Sequence, residues 1–143
     1  MKKMLYLIPA IIMMLSGCSG SKPSEDEKVP ALIPAPVSIA MLSGEFRFTE
    51  KTKIIIPSSD PETRLAAGFL AGLLSNPTGK EFAITEGSKP VKGSVFMQHD
   101  AAVSNPEGYK LLITKKQLVI SASAPAGFFH AVQTIRQMLP EQV

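Results

Sequence analysis

The stretch LAAGFLAGLL, residues 65–74, carries no charged or hydroxyl side chain. It lies within SSDPETRLAAGFLAGLLSNPTGK, which has the punctuation of a helix. Ser59 or Asp60 supplies an N-cap, Pro61 suits the first turn, Glu62 lies near the positive end, and Asn76, Pro77 and Gly79 terminate it. An ordinary surface helix has one apolar stripe and one charged face, whereas a helix apolar nearly all round is covered on more than one side. This helix therefore demands a sheet beneath it and a second partner above it. Leu65, Phe69 and Leu73 can cover the sheet, whereas Ala66, Leu70 and Leu74 look elsewhere, toward the second partner. Gly68 and Gly72, four residues apart, form a smooth strip that a second backbone can approach closely. A chain of 143 residues has room for one domain and no further layer of its own.

The flanking segments read as strands. In LIPAPVSIAMLSGEFRFTEKTKIIIP, Pro34 and Pro36 hold the chain extended at an edge, and Gly44 punctuates. Phe46 and Phe48 point to one face and Arg47 and Thr49 to the other, predicting a half-buried strand. Ile54, Ile55 and Ile56 make a second, stopped by Pro57. EFAIT, GSVFMQ, GYKLLIT and QLVISA follow, with Lys115 and Lys116 forming a two-residue hairpin that lacks the usual Gly or Asn. A closing helix begins at Ser123 or Ala124, with Pro125 in its first turn and Gly127 allowing close packing. Phe128, Val132, Ile135 and Leu139 form its stripe, opposite His130, Gln133, Arg136 and Gln137. The expected fold is α+β: a mixed or antiparallel sheet, its strands joined by hairpins, with two helices packed on one face.

The first residues are an address. Lys2 and Lys3 precede an apolar run over 4–15 that is too short to span a bilayer and has the order of a secretory signal peptide. Leu15-Ser16-Gly17-Cys18 resembles the lipobox of bacterial lipoproteins, which implies cleavage before Cys18 and a diacylglyceryl group on its thiol. Residues 1–17 are thus expected to be a lipoprotein signal peptide and 18–30 a flexible tether, with the domain over 31–143. Export and lipid anchoring to a bacterial membrane follow, at the outer membrane or the periplasmic face. The acidic run Glu25-Asp26-Glu27 sits on the tether, where nothing desolvates it, and solubilises.

Charge and composition exclude several functions. Removing Lys2 and Lys3 from the 15 basic residues leaves 13 against 12 acidic ones, so the formal +3 falls to +1 and no basic stripe remains for nucleic acid. A single cysteine permits neither an internal disulfide nor a cysteine-based zinc site. His99-Asp100 could suggest a base with its carboxylate, but adjacent residues rarely converge on one substrate, and a loop role is expected. His130 falls on a polar helix face, Glu107 in a turn, and Tyr109 is a candidate for the domain boundary. No catalytic, cofactor-binding or metal-ligating residue is assigned.

Ile33-Pro34-x-Pro36, Gly44 before an alternating strand, Glu107-Gly108-Tyr109, and above all Ala126-Gly127-Phe128-Phe129 leading to Gln133-Thr134-Ile135-Arg136-Gln137-Met138-Leu139 carry a resemblance. From about Pro30 onward the chain resembles the N-terminal domain of glycoside hydrolase family 20, the β-N-acetylhexosaminidases. The Lys115-Lys116 turn departs from the Asp-Gly frequent in that family. The resemblance implies a catalytic (β/α)₈ barrel following Val143, with the helices between sheet and barrel. It also implies substrate-assisted removal of terminal N-acetylhexosamine from glycans by an Asp-Glu pair on that barrel. Asp26-Glu27, on the tether, is the one Asp-Glu dipeptide here, so no catalytic residue carries over. The expected partners are the membrane through Cys18 and a barrel docked on Ala66, Leu70 and Leu74, with glycan bound by the barrel alone. Two alternatives stand beside this: a small standalone lipoprotein with a binding or structural role, and the N-terminal domain of a related glycosidase of family 84 or α-glucuronidase type.

Overall fold

The computed structural model describes residues 30–57 and 60–139. The segment expected to be a signal peptide, Cys18 and the acidic run lie outside the described residues. The elements run β1 (Ile54–Ile56), α1 (Pro61–Thr78), β2 (Ile84–Glu86), β3 (Val95–His99), β4 (Tyr109–Ile113), β5 (Leu118–Ala122) and α2 (Pro125–Met138). They form one five-stranded sheet in the order β2-β1-β3-β5-β4. The pairs β1/β2, β1/β3 and β3/β5 are parallel, and β4/β5 alone is antiparallel. The sheet is therefore mixed, as expected, but crossovers rather than hairpins join most of it. A parallel pair needs such a crossover, and α1 supplies the one from β1 to β2.

Register explains the layers. Ile54, Val95 and Leu118 share one row, and Ile56, Met97 and Ile120 align in another. Both rows enter the main core with Leu70 and Leu74 of α1 and Phe128, Val132 and Ile135 of α2. Both helices thus cover the same face, α1 over β1 and β2, α2 over β4 and β5. The residues between the rows, Ile55, Phe96 and Val119, form a second small cluster on the opposite face. Side chains of β1 and β5 are buried throughout, whereas β4 alternates between half-buried and exposed, the pattern of an edge strand.

Local chemistry sets the helix ends. Asp60, not Ser59, caps α1, accepting from the Glu62 and Thr63 amides at 3.2 and 3.3 Å. The helix runs past Asn76 and Pro77 and stops at Gly79, which adopts φ 63° and sends its N–H to Ser75 O at 2.8 Å. The Thr78 hydroxyl donates to Leu74 O at 2.6 Å, satisfying a late carbonyl. Ala124 occupies the N-cap of α2 without a side-chain bond, and Pro125 follows.

Two strand expectations change. Residues 45–49 pair with no strand, although Phe46 and Phe48 do point the same way. Their rings meet edge-on at 5.1 Å, and Phe48 meets Phe82 at 6.3 Å, so the pair closes the end of the core rather than widening the sheet. EFAIT yields a strand only from Ile84, because Phe82 is taken into that same closure. The Lys115-Lys116 turn manages without glycine. Thr114 and Gln117 bond across it, and the Thr114 hydroxyl accepts from the amides of Lys116 and Gln117 at 3.3 and 3.1 Å.

Candidate functional site

In a parallel α/β arrangement the carboxyl ends of the strands are the place to look for chemistry. Here residues 57–60 connect β1 to α1 and residues 123–124 connect β5 to α2, bringing both helix N-termini beside His99 at the end of β3. His99 Nε2 lies 3.0 Å from Asp60 Oδ2 and 3.3 Å from Thr63 Oγ1, and its ring stands edge-on to Phe128 at 5.2 Å. The Thr63 hydroxyl also donates to Asp60 Oδ2. These donors hold the Asp60 carboxyl down at about 2, the Thr63 hydroxyl foremost and His99 next.

A hydroxyl, an imidazole and a carboxylate in contact invite comparison with a nucleophilic triad, but the geometry is that of a cap. Thr63 is fully buried, so its oxygen cannot reach a substrate. Both of its polar neighbours bind the start of α1. Asp100 turns the other way, toward Lys110 Nζ at 2.9 Å and the Ala102 amide at 2.9 Å, and Lys110 chiefly lowers its pKa. The His99-Asp100 dipeptide is therefore split between two structural tasks. His130 is exposed on α2. Glu107 donates its amide to Asn105 Oδ1 at 2.9 Å, within a turn. Tyr109 places its hydroxyl on Thr134 Oγ1, tying β4 to α2.

The outer face of the helices is the conspicuous surface, and it corrects the assignment of α1. Ala66, Leu70 and Leu74 do not face outward; they are 0, 0 and 3 % exposed, packed with Thr63 and Ala67 against the sheet. Leu65 and Phe69 are the outward residues, 67 and 46 % exposed. At about 100° per residue the two stripes, one position apart in sequence, lie only about a quarter turn from each other on an almost uniformly apolar helix, and periodicity alone does not choose between them. The choice comes from the cap. Asp60 draws Thr63 inward, so the residues three, four, seven and eleven further on follow it, while Arg64 turns out to Glu86 Oε1 at 2.9 Å. Small Ala66 and Ala67 then let α1 settle close to the strands.

Gly68 and Gly72 are open, with no neighbour near where a side chain would stand. Pro61, Arg64, Leu65, Gly68, Phe69 and Phe129 line a shallow open hollow of about 540 Å³ between the helices. Phe129 of α2 meets Phe69 at 6.2 Å across it. Sequence reading missed Phe129, although its place beside core-bound Phe128 was the available signal: consecutive helical residues point about 100° apart, so one faces inward and the other sideways.

Over residues 29–143 the sequence matches the family described as glycosyl hydrolase family 20, domain 2. The chain belongs to glycosyl hydrolase family 20. A β-hexosaminidase of Porphyromonas gingivalis is 26 % identical over 148 residues, covering 99 % of this chain and 19 % of the relative. The family 20 β-N-acetylhexosaminidase of Streptomyces coelicolor A3(2) superposes with a TM-score of 0.68 at 32 % identity, over 75 % of this chain and 21 % of that one. A Streptomyces plicatus β-hexosaminidase, solved with its product GlcNAc, gives 0.70 at 34 % identity, over 76 and 21 %. The chain thus spans about a fifth of the length of these relatives. In full family 20 enzymes this domain sits with a catalytic barrel. Such a barrel takes about 250 residues and does not fit within 143. The family match also decides against the family 84 and α-glucuronidase alternatives.

Proposed function

We propose that this chain is the non-catalytic domain of a lipid-anchored exo-acting β-N-acetylhexosaminidase, an enzyme that removes terminal N-acetylhexosamine from glycans. The chemistry belongs to a (β/α)₈ barrel following Val143, and the role of these residues is to hold that barrel. The observation that carries the reading is the outward apolar face of α1 and α2. Leu65, Phe69 and Phe129 surround a hollow that the open Gly68 also lines, on a domain whose family pairs it with a barrel. Contiguous exposed apolar surface of this kind marks an interaction site. Lipidation at Cys18, supported by the lipobox-like LSGC, would hold the enzyme at a membrane without a spanning helix.

The test compares the chain alone with the protein continued through its barrel. The isolated chain should hydrolyse no aryl N-acetyl-β-glucosaminide, and measurable turnover by it overturns the assignment. Replacing Leu65 and Phe69 with Glu should leave the isolated domain folded and shorten the thermal half-life of the continued enzyme. Cys18→Ser should move the protein from the membrane fraction to the soluble one; retention in the membrane rejects the anchor.

A further inference from the structure

A second exposed apolar feature lies away from the helix hollow. Residues 30–43 contain no charged side chain, whereas the eight before them, SKPSEDEK over 21–28, contain five. The change in character is abrupt, and a solvated tether does not need it. Within this uncharged arm Ile33 and Val37 are 82 and 108 % exposed, and Ile39, Met41 and Leu42 are also exposed. Farther along, Phe46 and Phe48 turn into the core, so the same segment buries its later apolar residues and displays its earlier ones.

The arm is fastened at one point. The Gln137 side-chain amide accepts from the Ile33 amide at 2.8 Å and donates to the Ile33 carbonyl at 2.9 Å. This paired contact satisfies both backbone groups of Ile33 and spans 104 residues of sequence. Gln137 lies in the last turn of α2, two residues before Leu139. From Gln137 to Val143 the chain reaches at most about 20 Å. Whatever follows Val143 therefore starts within about 20 Å of the clamped Ile33 backbone.

We propose that residues 33–42 form a second docking strip for the domain that follows α2, presented by the Gln137 clamp. This inference rests on the reading above that a catalytic domain follows. Its occupant is the first structure after Val143, chosen because the clamp fixes the start of the strip at the end of α2 and because about four-fifths of the relatives' length lies outside the part matched here. Two separate contacts, the helix hollow and the arm, would fix the orientation of the following domain where one would leave it free to swing.

Three forms of the continued protein test it: unchanged, I33E/V37E, and L65E/F69E, each beside the corresponding isolated chain. The expected result has three parts. I33E/V37E leaves the melting of the isolated chain unchanged, shortens the thermal half-life of the continued enzyme at least threefold, and raises hydrogen exchange in the elements just past Val143. If I33E/V37E leaves the continued enzyme unchanged while L65E/F69E weakens it, the arm inference is overturned and the helix interface stands. If neither pair matters, both fall. If I33E/V37E unfolds the isolated chain, the arm belongs to this domain's own core, and the inference is again overturned.

Discussion

Gly127 offers a sharp quantitative test of the packing between α2 and β4. A methyl group built there would lie 2.2 Å from Gly108 O, 3.2 Å from Gly108 C and 2.9 Å from the Ala122 methyl. An ordinary contact begins near 3.4 Å, so the carbonyl is short by about 1.2 Å, and neither side yields easily. Gly108 is held by its N–H to Asn105 O at 2.8 Å, and the next residue is bonded to Thr134 on α2. The helix must lift, yet Phe128, Ala131, Val132 and Ile135 on its inner face are buried to within 2 % exposure. A gap of 0.5–1 Å forfeits roughly a quarter to a half of each dispersion contact. Overpacking of a tight core typically costs about 1–3 kcal/mol and occasionally more, against which alanine recovers at most about 1 kcal/mol of helix propensity. Gly127→Ala should therefore destabilise by about 2 kcal/mol, lowering Tm by roughly 8 °C in a domain of this size.

The control is built into the other helix. Gly68 and Gly72 have no neighbour within 4 Å, so Gly68→Ala and Gly72→Ala should each raise stability by about 0.5–1 kcal/mol. Urea unfolding of the purified chain, followed by circular dichroism, reads all three as shifts in midpoint at constant slope. A Gly127→Ala midpoint indistinguishable from the parent, or a loss at Gly68 as large as that at Gly127, would refute the reasoning.

Asp60 gives a pH-dependent prediction. Its carboxyl is held below its ordinary value, so its contribution is present above about pH 4 and is lost as pH falls toward about 2. Asp60→Asn should keep the cap and flatten that part of the acid unfolding curve, whereas Asp60→Ala should cost about 1 kcal/mol at neutral pH; an unchanged acid profile in Asp60→Asn would locate the titration elsewhere. Phe128 is fully buried and touches His99, so Phe128→Ala should cost about 3–5 kcal/mol, a large share of the roughly 5–15 kcal/mol of an ordinary domain, and lower the urea midpoint accordingly. A sharp transition within 1 kcal/mol of the parent would show that the site collapses readily.

Much of the fold was legible because it repeats a local period. The stripe of α2, Phe128, Val132, Ile135 and Leu139, is regular and opposed by polar residues, and the first three prove buried while Leu139 packs on the core from its edge. The parallel pairing was also written in the residues but went unread. The runs III, VFM and LVI are continuously apolar, as suits strands buried on both faces, whereas YKLLI carries Lys110 and its burial, not its sequence, alternates at an edge. The strand expected at residues 45–49 failed for a different reason. Alternation showed that Phe46 and Phe48 share a face, but not whether a neighbouring strand was there to pair with them. The outward face of α1 was misassigned because residues 65–74 offer no polar marker, and only Arg64 and Thr63 at their margin orient the helix.

By itself the sequence determined that this chain carries an α+β domain, that its first helix is apolar nearly all round, and that its family likeness is spread from the proline-rich arm to α2. These are properties of short windows, in which composition and period act directly on the backbone. Tertiary structure alone decided which side of α1 meets the sheet, that the Ile33 backbone is clasped by Gln137, and that His99 serves a helix cap. Each of those depends on groups distant in sequence meeting in space: Thr63 with His99, 36 residues apart, and Ile33 with Gln137, 104 apart. No local period encodes such a meeting; the packed sheet brings the partners together.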